Sequence, residues 1–196
     1  MENTINYKGF EISIEYSQDH HSPDDWDLLG KFYHWHRRYS LSDAAENIKN
    51  WDDDEIKELL KNSIYVPVYM YDHSGITINT TGFSCPWDSG QIGYYLVSKE
   101  DVKKEYGRKI ISKKLKETVI DVLNNEIKIW DDYFTGNIFA FFIKDEDGEI
   151  LDSCGGYYGE EGAEQALVEA KGIAEYLYKR KHMPDSNQLE MFADVA

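Results

Sequence analysis

Ile64-Tyr65-Val66-Pro67-Val68-Tyr69-Met70-Tyr71, followed by Asp72-His73-Ser74-Gly75 and then Ile76-Thr77-Ile78-Asn79-Thr80, reads as strand, turn and strand. The outer runs are rich in β-branched and aromatic residues, and the four residues between them are turn formers. Two strands joined by so short a turn run antiparallel. Pro67 has no amide donor, which predicts that its strand is a sheet edge or carries a bulge.

Working outward, residues 82–90 read as a loop and 91–97 as a third strand. Ser98 opens a short helix over 99–106, closed by Gly107. Upstream, the acidic run Asp52-Asp53-Asp54-Glu55 opens a helix over 56–61, where acidic residues suit the positive helix end. Ser42 is placed to cap a further helix over 43–51. The aromatic-rich stretch 26–39 is ambiguous between strand and loop, and 17–27 is a polar turn region. Residues 9–16 alternate apolar and polar, as a half-buried strand does.

Beyond residue 112 the pattern is clearer. Ser112 caps a long helix whose Leu115, Val119, Val122, Leu123, Ile127 and Trp130 form one apolar stripe, ended by Gly136. Residues 137–145 and 149–153 read as a hairpin around Asp147-Gly148. A last helix over about 161–181 carries the stripe Ala166, Leu167, Ala170, Ile173, Ala174 and Leu177. The order predicts an α+β fold, with a mainly antiparallel sheet and two longer helices packed on it. Residues 1–183 read as a single acidic domain and 184–196 as a flexible tail.

Composition bounds the function. With 41% hydrophobic and 14% aromatic residues among 196, a disordered acidic chain is excluded. The formal charge of −16, from 21 basic and 37 acidic residues, argues against direct nucleic-acid binding. One strip, 99–116, holds eight basic against three acidic residues; it lacks interleaved aromatics and reads as solvated helix faces. The acidic remainder suits a basic protein partner, or a surface that imitates DNA. Cys85 and Cys154 are the two cysteines, and they read as reduced thiols. The first ten residues lack a basic start and an apolar core, and the longest apolar runs fall far short of about 20 residues. A cytoplasmic protein with no membrane partner is therefore expected.

The candidate functional loop comprises Asp72, His73, Cys85, Trp87, Asp88 and Gln91. Cys85, His73 and Asp72 offer a nucleophile, a base and an orienting acid on paper. However, adjacent residues in a turn do not easily orient one another, and no catalytic residue is assigned. The competing reading is a structural loop in which Trp87 plugs the core while Asp88 and Ser89 satisfy backbone amides. On a strand, His34 and His36 would share a face and, with His73 or Asp72, could ligate a metal. Spacing supplies no third ligand, so neither a metal nor a cofactor is assigned. Cys154-Gly155-Gly156-Tyr157-Tyr158-Gly159 reads as a loop before the last helix; Glu160 and Glu161 there would repel an anion. Exposed aromatics at Phe32, Tyr33 and Trp35 would mark a scaffold or assembly subunit.

The most specific signal is in the tail. Gln188-Leu189-Glu190-Met191-Phe192 resembles the pentapeptide by which bacterial proteins bind the DNA sliding clamp. That resemblance implies that Leu189, Met191 and Phe192 are buried anchors, that Gln188 hydrogen-bonds at the pocket rim, and that Glu190 faces solvent. Physical chemistry agrees, because three apolar side chains in a polar tail call for burial against something.

The body carries Trp26-Asp27-Leu28-Leu29-Gly30, residues 67–77, Phe83-Ser84-Cys85-Pro86-Trp87-Asp88-Ser89-Gly90-Gln91-Ile92-Gly93 and residues 152–159. Together these resemble a group of proteins encoded by phages and mobile elements of bacteria. The resemblance spans most of 7–180, implies a bacterial host cell as the setting, and implies no mechanism. The tail motif lies outside that pattern. The expectation is an interaction protein that binds the bacterial sliding clamp and modulates or inhibits host replication, repair or defence. The alternatives are a DNA-mimicking, anti-restriction inhibitor of a basic defence nuclease, and a small enzyme with its site around Asp72–Gln91.

Overall fold

The computed structural model describes residues 3–18 and 21–182. In chain order the strands are β1 (Asn3–Tyr7), β2 (Phe10–Tyr16), β3 (Lys31–His34), β4 (Glu46–Asn47), β5 (Ser63–Asp72), β6 (Ile76–Asn79), β7 (Ser89–Ser98), β8 (Ile138–Lys144) and β9 (Ile150–Tyr158). The helices are α1 (Asp53–Asn62), α2 (Lys99–Glu105), α3 (Lys113–Thr135) and α4 (Gly159–His182), and Pro23–Asp25 forms a 3-10 turn. The fold is α+β with two mostly antiparallel sheets, as the element order predicts. Where the sequence reads as one domain over 1–183, the chain gathers into two compact units, each with its own core. No helix among the described residues is long and apolar enough to cross a membrane.

The first unit joins the N-terminal segment to the chain after Gly136. Its sheet runs β1-β2-β8-β9, antiparallel throughout. Ile12, Ile14, Phe139, Phe141 and Ile143 present one face, on which Ala166, Ala170 and Ala174 of α4 are wholly buried. Alanine at every fourth position lets the helix axis lie close to the sheet, and Leu167, Ile173 and Leu177 pack at its flanks. β1 was not legible as a strand. Residues 154–158, expected as a loop, instead continue β9. The register shifts between Phe139 and Ala140, and the extra residue, Gly156, has a φ of 86°, a conformation glycine adopts without strain.

The second unit holds residues 21–135 and the sheet β4-β3-β7-β5-β6. Ile64, Val66, Val68 and Met70 of β5, with Phe32, Ile78 and Tyr95, meet Val119, Leu123, Ile127 and Trp130 of α3 in one core. Pro67 lies where β5 is paired with β7 alone, because β6 reaches only Tyr69 to Asp72. A bulge follows at once, between Val68 and Tyr69. β5 is thus not an edge strand, since β7 and β6 flank it, but Pro67 sits on its locally unpaired side, and the extra residue of the bulge, Ile92, belongs to β7.

The helix expected over 43–51 does not form. That segment is a pair of turns on either side of the short Glu46–Asn47 strand, which runs parallel to β3. Ile48 is its one buried large apolar residue, too little to support a nine-residue helix, and its amide instead donates to the His34 carbonyl at 2.8 Å. By contrast α1 forms where the acidic run predicts it. Asp52 accepts from the amides of Asp54 and Glu55, while Glu55 accepts from the Asp52 amide, a reciprocal cap.

Candidate functional site

The turn after β5 and the loop before β7 form one wall of an open cleft of about 360 Å³ in the second unit. Met70 and Ile92, both buried in the sheet, floor it, and the segment after β3 supplies His36 and Arg38 opposite. The Asp72 amide donates to the Asp88 carbonyl at 2.9 Å, tying turn to loop. Asn79 shapes the loop's start, because its side-chain oxygen accepts from the amides of Thr81 and Gly82 at 3.1 and 2.7 Å.

Charged groups in the cleft are mostly paired. Arg38 and Asp72 form an ion pair, and the Tyr39 hydroxyl donates to the other Asp72 oxygen at 3.4 Å. His36 stacks on Tyr39 with ring planes 6° apart, and its Nδ1 accepts from the amides of Arg38 and Tyr39. Burial lowers the His36 pKa from its ordinary value, with Asp72 opposing that shift and Arg38 adding to it. Burial therefore disfavours the charged ring, while Nδ1 serves as the acceptor for the two amides.

Trp87 does not plug the core. It is 90% exposed and forms part of the cleft wall. The loop that carries it is closed by the Ser89 hydroxyl, which donates to the Cys85 carbonyl. Nor do the Asp88 and Ser89 side chains satisfy amides. The Asp88 carboxylate accepts from the Cys85 thiol at 3.8 Å and lies 3.6 Å from His73 Nδ1.

Asp72, His73 and Cys85 do not assemble as a nucleophile, base and orienting acid. Asp88 stands between sulfur and imidazole, and Asp72 is engaged by Arg38. Gln91 turns along its own strand, donating to the Gly93 carbonyl at 3.2 Å. His34 is buried while His36 lines the cleft, so the two share no ligating face. Among the described residues no three His, Cys, Asp or Glu side chains cluster as a metal site. Phe32 is in the core, while Tyr33 and Trp35 are half-buried against Trp51 and Tyr94. The exposed aromatic of this unit's cleft is Trp87 instead. Sequence reasoning did not single out Arg38; a basic pair, Arg37-Arg38, in so acidic a chain was the available signal.

Gln188, Leu189, Met191 and Phe192 lie outside the described residues. Compared with protein-family models, with curated proteins and with solved structures, the chain matches none.

Proposed function

We propose that this chain is an interaction protein of a phage or mobile element that binds the bacterial DNA sliding clamp through its C-terminal segment. Clamp occupancy would modulate or inhibit host replication, repair or defence, because polymerases and repair factors would compete for the same pocket. The observation that carries this reading is the pentapeptide Gln188-Leu189-Glu190-Met191-Phe192, with three apolar anchors in a polar setting. The body supports it through a surface suited to contact rather than turnover, where the exposed Trp87 stands beside Asp88 and Arg38. Aromatic and arginine side chains are the residue types that dominate interface energetics.

The test is capture of a purified bacterial clamp by the full chain. Replacing Leu189 and Phe192 together by Ala is expected to weaken retention by about tenfold or more, since anchor residues carry most of such an energy. Equal retention of both proteins overturns the reading.

A second reading is favoured by the charge of −16: a DNA-mimicking inhibitor that occupies a basic site on a defence nuclease. It predicts binding that weakens steeply with ionic strength and survives the double substitution.

A further inference from the structure

Between the segment that follows α2 and the first turns of α3 lies an open groove of about 530 Å³, within the second unit. Tyr106 and Leu115, half-buried against the core, give it apolar surface. Ile110 lines it too and is 81% exposed. Arg108 and Lys114 bring positive charge to the same lining.

Two features set this groove apart from an ordinary solvated face. One exposed aliphatic side chain is common on a protein surface. Here Ile110 joins Tyr106 and Leu115 in one concave surface, and its apolar area is left for a contact to bury. The cations beside it are also unspent. Lys113 reaches Glu117 at 3.9 Å, whereas Arg108, Lys109 and Lys114 have no carboxylate partner among the described residues. Nor do the lysines serve the helix they open. A helix start favours carboxylates, as in α1, α2 and α4, yet α3 begins with Lys113, Lys114 and Lys116.

Charge sets the chemistry of what fits. Residues 99–116 hold eight basic against three acidic residues in a chain of net charge −16, so the positive field is a local one. At physiological salt such a field reaches about 8 Å. A long polyanion or a charged bilayer would extend past it and meet the acidic remainder. A short segment stays inside it. Its carboxylates can pair with Arg108 and Lys114 while an apolar side chain covers Ile110 and Leu115.

We propose that this groove docks a short acidic segment of a partner protein, one that carries an apolar side chain among its carboxylates. The Arg108 guanidinium takes one carboxylate through two parallel hydrogen bonds, and Lys114 holds a second as a point charge. Ile110 supplies the apolar area of the contact. The site is independent of clamp binding, since its residues lie within 106–115 and the clamp-like pentapeptide at 188–192.

The experiment is selection of a library of short random peptides on the immobilised full chain, with no clamp present. A chain carrying Arg108→Ser and Ile110→Ser together serves for counter-selection. Peptides enriched on the wild type and lost on that variant are expected to combine Asp or Glu with Leu, Ile or Phe. Their affinity, read by fluorescence anisotropy, should fall about tenfold when Arg108 and Lys114 are both replaced by Ala, and about fivefold for Ile110→Ser. Raising the salt to about 0.5 M should weaken it as well. All three side chains are exposed, so the substitutions leave the fold standing, which circular dichroism checks. Enrichment of basic or uncharged peptides, or of none that the variant loses, overturns the proposal. Tighter binding to phosphatidylserine vesicles or to single-stranded DNA than to the selected peptides overturns it too.

Discussion

The backbone N–H of Gly30 donates to Glu126 Oε2 at 2.9 Å, across 96 positions of sequence. The Leu29 amide donates to the other oxygen at 2.7 Å, so one buried carboxylate closes the loop before β3 onto α3. Replacing Glu126 by Ala leaves two amides without an acceptor and removes two charge-assisted hydrogen bonds. A loss of about 2–4 kcal/mol in stability is expected from urea unfolding, with Glu126→Gln losing less.

Gly93 of β7 sits opposite His34, and a Cβ placed there would lie 2.2 Å from the Tyr33 carbonyl oxygen and 2.7 Å from the His34 Cα. Both are backbone atoms of a paired strand and cannot move aside singly. Gly93→Ala is expected to cost about 3 kcal/mol by denaturant titration. Gly75→Ala is the control, because nothing lies within 4 Å of a Cβ at that turn.

His34 is buried, and burial, followed by the charge of His36, lowers its pKa from the ordinary value of 6.5. The unfolded chain therefore takes up a proton more readily than the folded one. Stability from this group is complete above about pH 6.5 and declines as the pH falls below it, towards the folded-state pKa. Replacing His34 by Leu should flatten that part of a stability profile measured between about pH 7.5 and 5.

Trp87 is predicted to matter for contact and not for folding. Its indole is 90% exposed, so Trp87→Ala should change stability by no more than about 0.5 kcal/mol. The same substitution should remove the fluorescence component most readily quenched by acrylamide. A large loss of stability would show that the loop needs the ring for support.

Elements with a local signal were legible in advance. The stripe on α3, the alternation in β2, the acidic run that opens α1 and the hairpin turn at Asp147-Gly148 each depend on residues a few positions apart. The segment from 43 to 51 misled because a serine that can cap a helix can equally open a turn, as Ser42 does, and the partner that decided it, β3, lies outside any local window. Trp87 misled for a similar reason. A tryptophan's preference for burial is strong on average, but this one lies on a loop whose position is set by contacts beyond its neighbours, among them the Asp72 amide bond to the Asp88 carbonyl.

The sequence by itself determined the fold class, most helix and strand positions, the acidic charge of −16 and the apolar pentapeptide ending at Phe192. These follow from the spacing of apolar residues, from caps and turns, and from composition. Tertiary structure alone decided that the chain forms two units with separate cores, that β4 runs parallel to β3, that Asp88 rather than Asp72 stands beside Cys85 and His73, and that Glu126 meets the amides of Leu29 and Gly30. The physical reason is range. Backbone propensity and hydrophobic period act over a few residues, whereas strand pairing, burial of a particular ring and the meeting of charges are set by segments brought together only when the cores close.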